Sequence, residues 1–292
     1  MRTPVPSSGP ADLSHKRRLS PETLTALWTA VFAMLMTGLV SGAWGGLLLA
    51  NLATTPAIPW AAVVMALLVW ALWAWLGGRW APQGTQAARR RLLRGGALPM
   101  PVAAWAVAAG ALWVIALAGL WTVLHRLIAA PGNPLADFSR LPPITVAVSL
   151  VMAAISGAVS EEAGFRGYFQ GALERRGLGA LSVLVAALVM APIHAQTQGF
   201  VWPTVLFYLL VDTMLGALAY LTQSIRPGIV VHAIGLFVFF AFVWPADAHR
   251  QLIWGRGPDA GFWLSVAQTL VFAAVGALAF VRLTKLARAR AE

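Results

Sequence analysis

Residues 144–168 read ITVAVSLVMAAISGAVSEEAGFRGY, an apolar run interrupted near its end by Glu161, Glu162 and Arg166. A hydrocarbon core about 30 Å thick takes about 20 apolar residues as a helix. The run therefore reads as a transmembrane helix that carries charge into the bilayer. Working outward, further apolar stretches lie at Thr23–Ala50, Ile58–Leu76, Leu98–His125, Leu181–His194, Val201–Thr222, Gly228–Trp244 and Phe262–Leu283, which makes eight spans in all. The fifth in chain order is short and holds Pro192, which predicts a kink or shelter by neighbouring helices. The composition agrees: 59% of the 292 residues are hydrophobic, 11% are charged and the mean hydropathy is +0.75. Soluble domains carry about a quarter charged residues, so an ordinary soluble enzyme is excluded. The fold class is all-α, a polytopic membrane protein of about eight helices. The absence of cysteine excludes disulfides, thiolate nucleophiles, iron–sulfur clusters and Cys-built zinc sites.

The formal net charge is +11, and its distribution sets an expected topology. Eight spans put both termini on one side. Of 21 Lys and Arg, all but Arg126, Arg140, Arg250 and Arg256 then fall on that side, which the positive-inside rule makes cytoplasmic. Residues 1–22 read as a disordered cytosolic tail, 23–286 as one transmembrane helical domain and 287–292 as a basic cytosolic tail. The cluster Arg89–Arg91 reads as a juxtamembrane patch facing anionic lipid, with no nucleic-acid partner. The Ala/Arg/Trp-rich composition suggests a bacterial inner membrane, and no tandem repeat is evident.

Ionisable groups inside a bilayer are costly, so those that remain are informative. Glu162 and Arg166 are four residues apart and share a helix face, which predicts an ion pair. Glu161 is turned by about 100° from Glu162 and is free to face a wet cavity as a general base. His194 and His232 lie in later apolar stretches. With the two glutamates they form a set able to hold one water: Glu to take its proton, one His to orient it, the other to stabilise an oxyanion. The alternative use of the same side chains is a divalent metal such as zinc, although no His-Glu-x-x-His motif is present. Asp212, four residues after Tyr208, reads as a local hydrogen-bonding or helix-contact residue. His125 and His249 read as interfacial, and the segment from His194 to Gly199 as an outer loop lining a substrate entrance.

These residues resemble the CAAX-processing and bacteriocin-processing membrane peptidases, the type II CAAX prenyl endopeptidase group of intramembrane glutamate proteases. The family's Glu-Glu-x-x-x-Arg motif is matched in full by Glu161, Glu162 and Arg166. Its Phe-x-x-x-His motif is matched at His194 with Met190 in place of Phe. In its third motif His232 matches, but Leu236 stands where Asn is usual. The order agrees from Ile144 to Trp244. The resemblance implies a protease-like core over residues 144–244 and metal-independent peptide hydrolysis without a cofactor. It also implies a peptide or protein substrate, membrane-anchored or lipidated. By the same analogy Glu161 activates water, His194 positions it, Glu162 and Arg166 organise the site, and His232 sits in the oxyanion pocket. Leu236 cannot donate a hydrogen bond, which suggests slow turnover or lost activity. Two other functions stay open: a membrane scaffold, immunity or maturation partner, and a proton-coupled transporter using Glu161 and Asp212. On straight helices, His232 is expected to lie much closer to the inner surface than Glu161 and His194. That mismatch implies either a connection at Thr222–Gly228 that dips inward or helix boundaries shifted by a turn.

Overall fold

A computed structural model describes residues 21–129 and 141–289. Most of the expected N-terminal tail, Arg140 and the last three residues lie outside them. Among the described residues the fold is helical without strands, as composition and patterning predict. The long helices are α1 (Pro21–Thr54), α2 (Trp60–Leu76), α4 (Met100–Leu127), α5 (Pro143–Glu161), α6 (Leu181–Gln198), α7 (Trp202–Thr222), α8 (Arg226–Val238) and α9 (Ala260–Arg288). A short helix, α3 (Gln86–Leu93), was not expected. Six spans are long and apolar enough to cross a membrane, one of them running from Pro143 through to Leu178. Trp60–Leu76 and the α6 helix are shorter apolar helices, so each of the eight expected stretches is a helix.

Proline marks several helix starts. Pro101, Pro143, Pro203 and Pro227 occupy first-turn positions, where the missing N–H would have had no intrahelical partner. Asp259 caps α9 by accepting from the Phe262 N–H at 2.8 Å. Buried Asn51 pins the α1–α2 turn: its amide donates to Thr55 O and Ile58 O, and its oxygen accepts from Ala61 N–H, each at 2.9 Å. Pro192 lies inside α6 and does not end it; the helix continues to Gln198, so His194 is helical and does not open a loop.

The packing is polar inward and apolar outward. Trp28, Leu39, Leu49, Leu67, Leu264 and Leu278 are exposed, whereas Glu162, Arg166, Gln170 and Asp212 are buried. That arrangement suits lipid surroundings, because a polar group facing hydrocarbon has nothing to bond. Small residues bring helices close. A Cβ on Gly119 of α4 would lie 2.9 Å from Ser265 O of α9, and one on Gly276 of α9 would lie 2.7 Å from the Trp113 ring of α4.

The connections sort to two ends, as alternating spans require. At one end Arg94, just after α3, donates to Glu174 at 2.9 Å and to Ala219 O at 2.8 Å. There too Ser224 donates to Gly96 O and Arg226 to Gly95 O, both at 2.8 Å. At the other end Arg126 forks onto Asp259 at 2.6 and 2.9 Å, and Trp121 donates to Asp247 at 2.9 Å. Two expectations fail here. Arg89 does not face lipid; it is 5% exposed, lies over the Trp75 ring and donates to the carbonyls of Trp80, Ala81 and Pro82. Ala81 O also accepts from Trp75 Nε1 and Pro82 O from Thr85, so Arg89 adds to a turn whose Trp80 carbonyl it serves most directly. His125 is not interfacial either: its ring is buried against Trp121, with centroids 4.2 Å apart. The side chain of His249 lies outside the described set.

Candidate active site

The charged motif sits where the helix changes its winding. After Glu161 the chain passes into π-helical turns over Glu162–Gln170, every residue of which is buried. Hydrogen bonds from i to i+5 pack more residues into a given length than α turns do, and such segments concentrate at functional sites. A second π segment, Glu174–Leu178, follows. The expected depth mismatch is not found: His232 lies 3.0 Å from Glu162 Oε1 and 3.5 Å from Glu161 Oε2, and the π turns shorten the rise between Glu162 and Glu174. The start of α8 is held at the same level: Gln223 donates to Glu174 at 3.3 Å, and Ile225 N–H donates to Arg94 O at 3.1 Å. His232, two turns into α8, therefore reaches the glutamates.

Glu162 points into the packed interior and is 0% exposed. Its Oε1 accepts from His232 Nδ1 at 3.0 Å and lies 3.4 Å from Arg166 Nη1, the expected pair four residues on. Gly228 makes the room: a Cβ there would lie 2.5 Å from Glu162 Oε2. Arg166 is clamped on its other side by Asp212, through Nη2 to Oδ1. Asp212 thus serves as the helix-contact residue its position suggested. Its membership of the cluster was legible only as a lone acid in an apolar span.

Glu161 lines the cavity, at the other nitrogen of the same His232 ring. Its Oε2 lies 3.5 Å from His194 Nε2 and 3.5 Å from His232 Nε2. A carboxylate only accepts, so His232 donates from Nδ1 to Glu162 and turns Nε2 toward Glu161. His194 stacks on Tyr208 with ring centroids 4.4 Å apart and planes at 17°, which fixes the imidazole plane. All five expected residues therefore meet: Glu161, His194 and His232 on a cavity, with Glu162 and Arg166 behind them.

The cavity has a volume of about 210 Å³ and is walled mainly by apolar side chains, with Glu161, His194, Gln198, His232 and Tyr208 as its polar points. Gln198, one turn beyond His194, also lines it, so the expected lining role survives on a helix in place of a loop. Leu236 lies on the wall as well, and its Cδ1 would be 3.1 Å from a Cβ on Gly157, one turn before Glu161. Met190 is 1% exposed in an apolar cluster with Phe165, Phe169 and Ala33, filling space as the flexible thioether allows. Among the described residues no group of three His, Asp or Glu is arranged to hold one metal ion.

Comparison with known families bears on the stretch that carries this geometry. Residues 143–238 match the family model described as Type II CAAX prenyl endopeptidase Rce1-like. The Rce1-like region is similar to that family from the first residue of α5 to the last of α8. No curated protein and no solved structure matches the chain. All five site residues, Tyr208, Asp212 and Leu236 fall within the Rce1-like region, whereas Phe239 and Trp244 extend the cavity wall beyond it. The match associates the region with CAAX-type peptidases acting on peptide or protein substrates.

Proposed function

We propose that the protein is a metal-independent intramembrane endopeptidase in which Glu161 activates water against a peptide bond. The observation that carries the reading is the convergence on Glu161 Oε2 of two imidazole nitrogens, each at 3.5 Å, on the wall of an otherwise apolar cavity. A water within reach of all three groups transfers a proton to Glu161 as its oxygen attacks the carbonyl carbon. His194 orients that water, and the oxyanion forms beside His232. Glu162, bonded to His232 Nδ1, steadies the ring as negative charge develops in front of it. Collapse of the tetrahedral adduct breaks the C–N bond, and the proton on Glu161 passes to the departing amine. Arg166 and Asp212 keep Glu162 in place and take no part in proton transfer.

The substrate in this reading is a membrane-anchored or lipidated peptide or protein, admitted to an apolar-walled site. The membrane is a bacterial inner membrane, with both termini cytoplasmic. The test uses purified full-length protein in proteoliposomes, a prenyl-peptide library and mass detection of products. Cleavage is expected to survive chelation and to vanish in His194→Ala. Zinc restoring a chelated sample would replace this mechanism with the metal alternative.

A second reading is favoured by Leu236, which leaves the wall beyond His232 without a donor: a membrane scaffold, immunity or maturation partner that keeps the fold. It predicts that Glu161→Ala and His194→Ala change partner binding but remove no hydrolysis. The transporter reading lacks its second carboxylate, because Asp212 is paired with Arg166 and is not on the cavity wall.

A further inference from the structure

A second cavity, of about 350 Å³, opens at the end of the bundle where α2, α3 and α8 meet. Its lining includes Arg79, Arg90 and Arg226 together with Trp73, Leu93 and Gly95, and no Asp or Glu. It shares no residue with the cavity at Glu161. Its size falls within the range of small-molecule sites, about 300–1,000 Å³.

The arginines around it divide by use. Arg89 is spent on the Trp80–Pro82 carbonyls, and Arg94 on Glu174 and Ala219 O. Arg79 and Arg90, by contrast, make no side-chain hydrogen bond or ion pair with any described residue, and both are exposed. Arg226 engages Gly95 O through Nε at 2.8 Å, which leaves both of its terminal amino groups. Three guanidinium groups with free donors thus line one cavity without a carboxylate among them. The wall is fixed as well as charged: Gly95 sits so close to the Trp73 indole that a Cβ there would be 3.2 Å from its ring. Like charges gathered in this way repel unless an anion lies between them, and guanidinium forks match phosphate oxygens in geometry. An indole beside arginines at a helix end is also the usual composition of a headgroup-level site.

We infer that this cavity binds the phosphodiester of an anionic phospholipid headgroup, with Arg79, Arg90 and Arg226 donating to its oxygens. The bound headgroup ties α3 to the first turn of α8. Two residues further along that helix Gly228 rests on Glu162, and six residues along His232 faces Glu161. The lipid therefore braces the helix that carries His232 into the polar site, whatever chemistry that site performs.

The test is native mass spectrometry of the detergent-solubilised full chain with phosphatidylglycerol, phosphatidylcholine or sn-glycerol 3-phosphate. Phosphatidylglycerol is expected to bind in preference to the other two. Arg79→Gln/Arg90→Gln is expected to weaken it about 25-fold, at about fivefold per arginine near a membrane surface. Gly96→Asp supplies an independent variant: a side chain there meets nothing within 4 Å, so the fold is kept while a carboxylate is placed at the cavity, and phosphatidylglycerol binding should fall. Arg91→Gln, exposed but outside the cavity lining, should change binding less than twofold. The proposal is overturned if the double variant stays within twofold of the parent. It is equally overturned if Arg91→Gln loses as much, which indicates diffuse surface charge, or if glycerol phosphate binds as tightly as the lipid, which indicates a soluble phosphate ligand.

Discussion

Replacing Leu236 with Asn should raise peptide hydrolysis. Leu236 lies four residues after His232 on α8, about 6 Å further along the axis and on the same face. It contributes to the cavity wall and offers the reacting carbonyl no donor. Its Cδ1 approaches Gly157 with only 3.1 Å to a notional Cβ there, so the shorter Asn fits without displacing α5. A well-placed oxyanion donor is worth about 10²–10³ in turnover, equivalent to about 3–4 kcal/mol of transition-state stabilisation. Trimming a half-buried leucine costs about 1–2 kcal/mol of stability, which should lower the melting temperature without unfolding the chain. The assay is turnover of a prenyl-peptide substrate in proteoliposomes, with thermal unfolding of the same sample as control. A gain of about 10²-fold with a modest fall in melting temperature supports an oxyanion position beside His232. A folded variant whose turnover stays within twofold of the parent refutes that placement. Parent and variant both folded and both inactive would favour the scaffold reading.

Other perturbations separate support from chemistry. Gly228→Ala should force Glu162 off its place, since the added carbon falls 2.5 Å from Oε2; overpacking predicts a loss of about 1–3 kcal/mol in denaturant unfolding together with reduced cleavage. Asp212→Ala leaves Arg166 buried with one partner fewer, and losing one side of a buried pair costs about 3–5 kcal/mol; Asp212→Asn, which keeps the shape and an acceptor, should cost less, an order that thermal unfolding will check. At the opposite end the hydrogen bond from Arg126, helped by the Phe262 N–H, holds the Asp259 carboxyl down at about 2, against an ordinary 3.8. A depressed folded value contributes stability that is complete above the ordinary value and lost as pH falls through the lower one. Unfolding followed between pH 4 and pH 2 should therefore show a loss that Asp259→Asn lacks.

Much of this arrangement is legible in the residues. Apolar length and arginine placement give the helices and their alternation. The Glu161-Glu162-x-x-x-Arg166 pattern with His194 and His232 gives the residues that meet at the cavity. What stays hidden depends on contacts between segments distant in the chain. The π winding after Glu161 has no local signature, and the meeting of both glutamates with His232 depends on how α5 packs against α8. Asp212 reads as a helix-contact residue, but its partner becomes visible only once α5 and α7 are packed. Arg89 reads as one of three identical surface arginines; its inward turn depends on the Trp75 ring and the Trp80–Pro82 carbonyls, which only the folded turn places beside it. His125 sits near a helix end in the sequence and is nevertheless covered, because aromatic packing around Trp121 extends to that depth.

The central claim assigns different work to two adjacent carboxylates, and one comparison separates them. Turnover and melting temperature are measured for Glu161→Gln and Glu162→Gln in the same proteoliposomes. Glu161→Gln should keep the parent's melting temperature and lose cleavage, whereas Glu162→Gln should lose both stability and cleavage, because it loosens Arg166 and His232. Cleavage by Glu161→Gln at the parent's rate would contradict the assignment of Glu161 as the group that activates water.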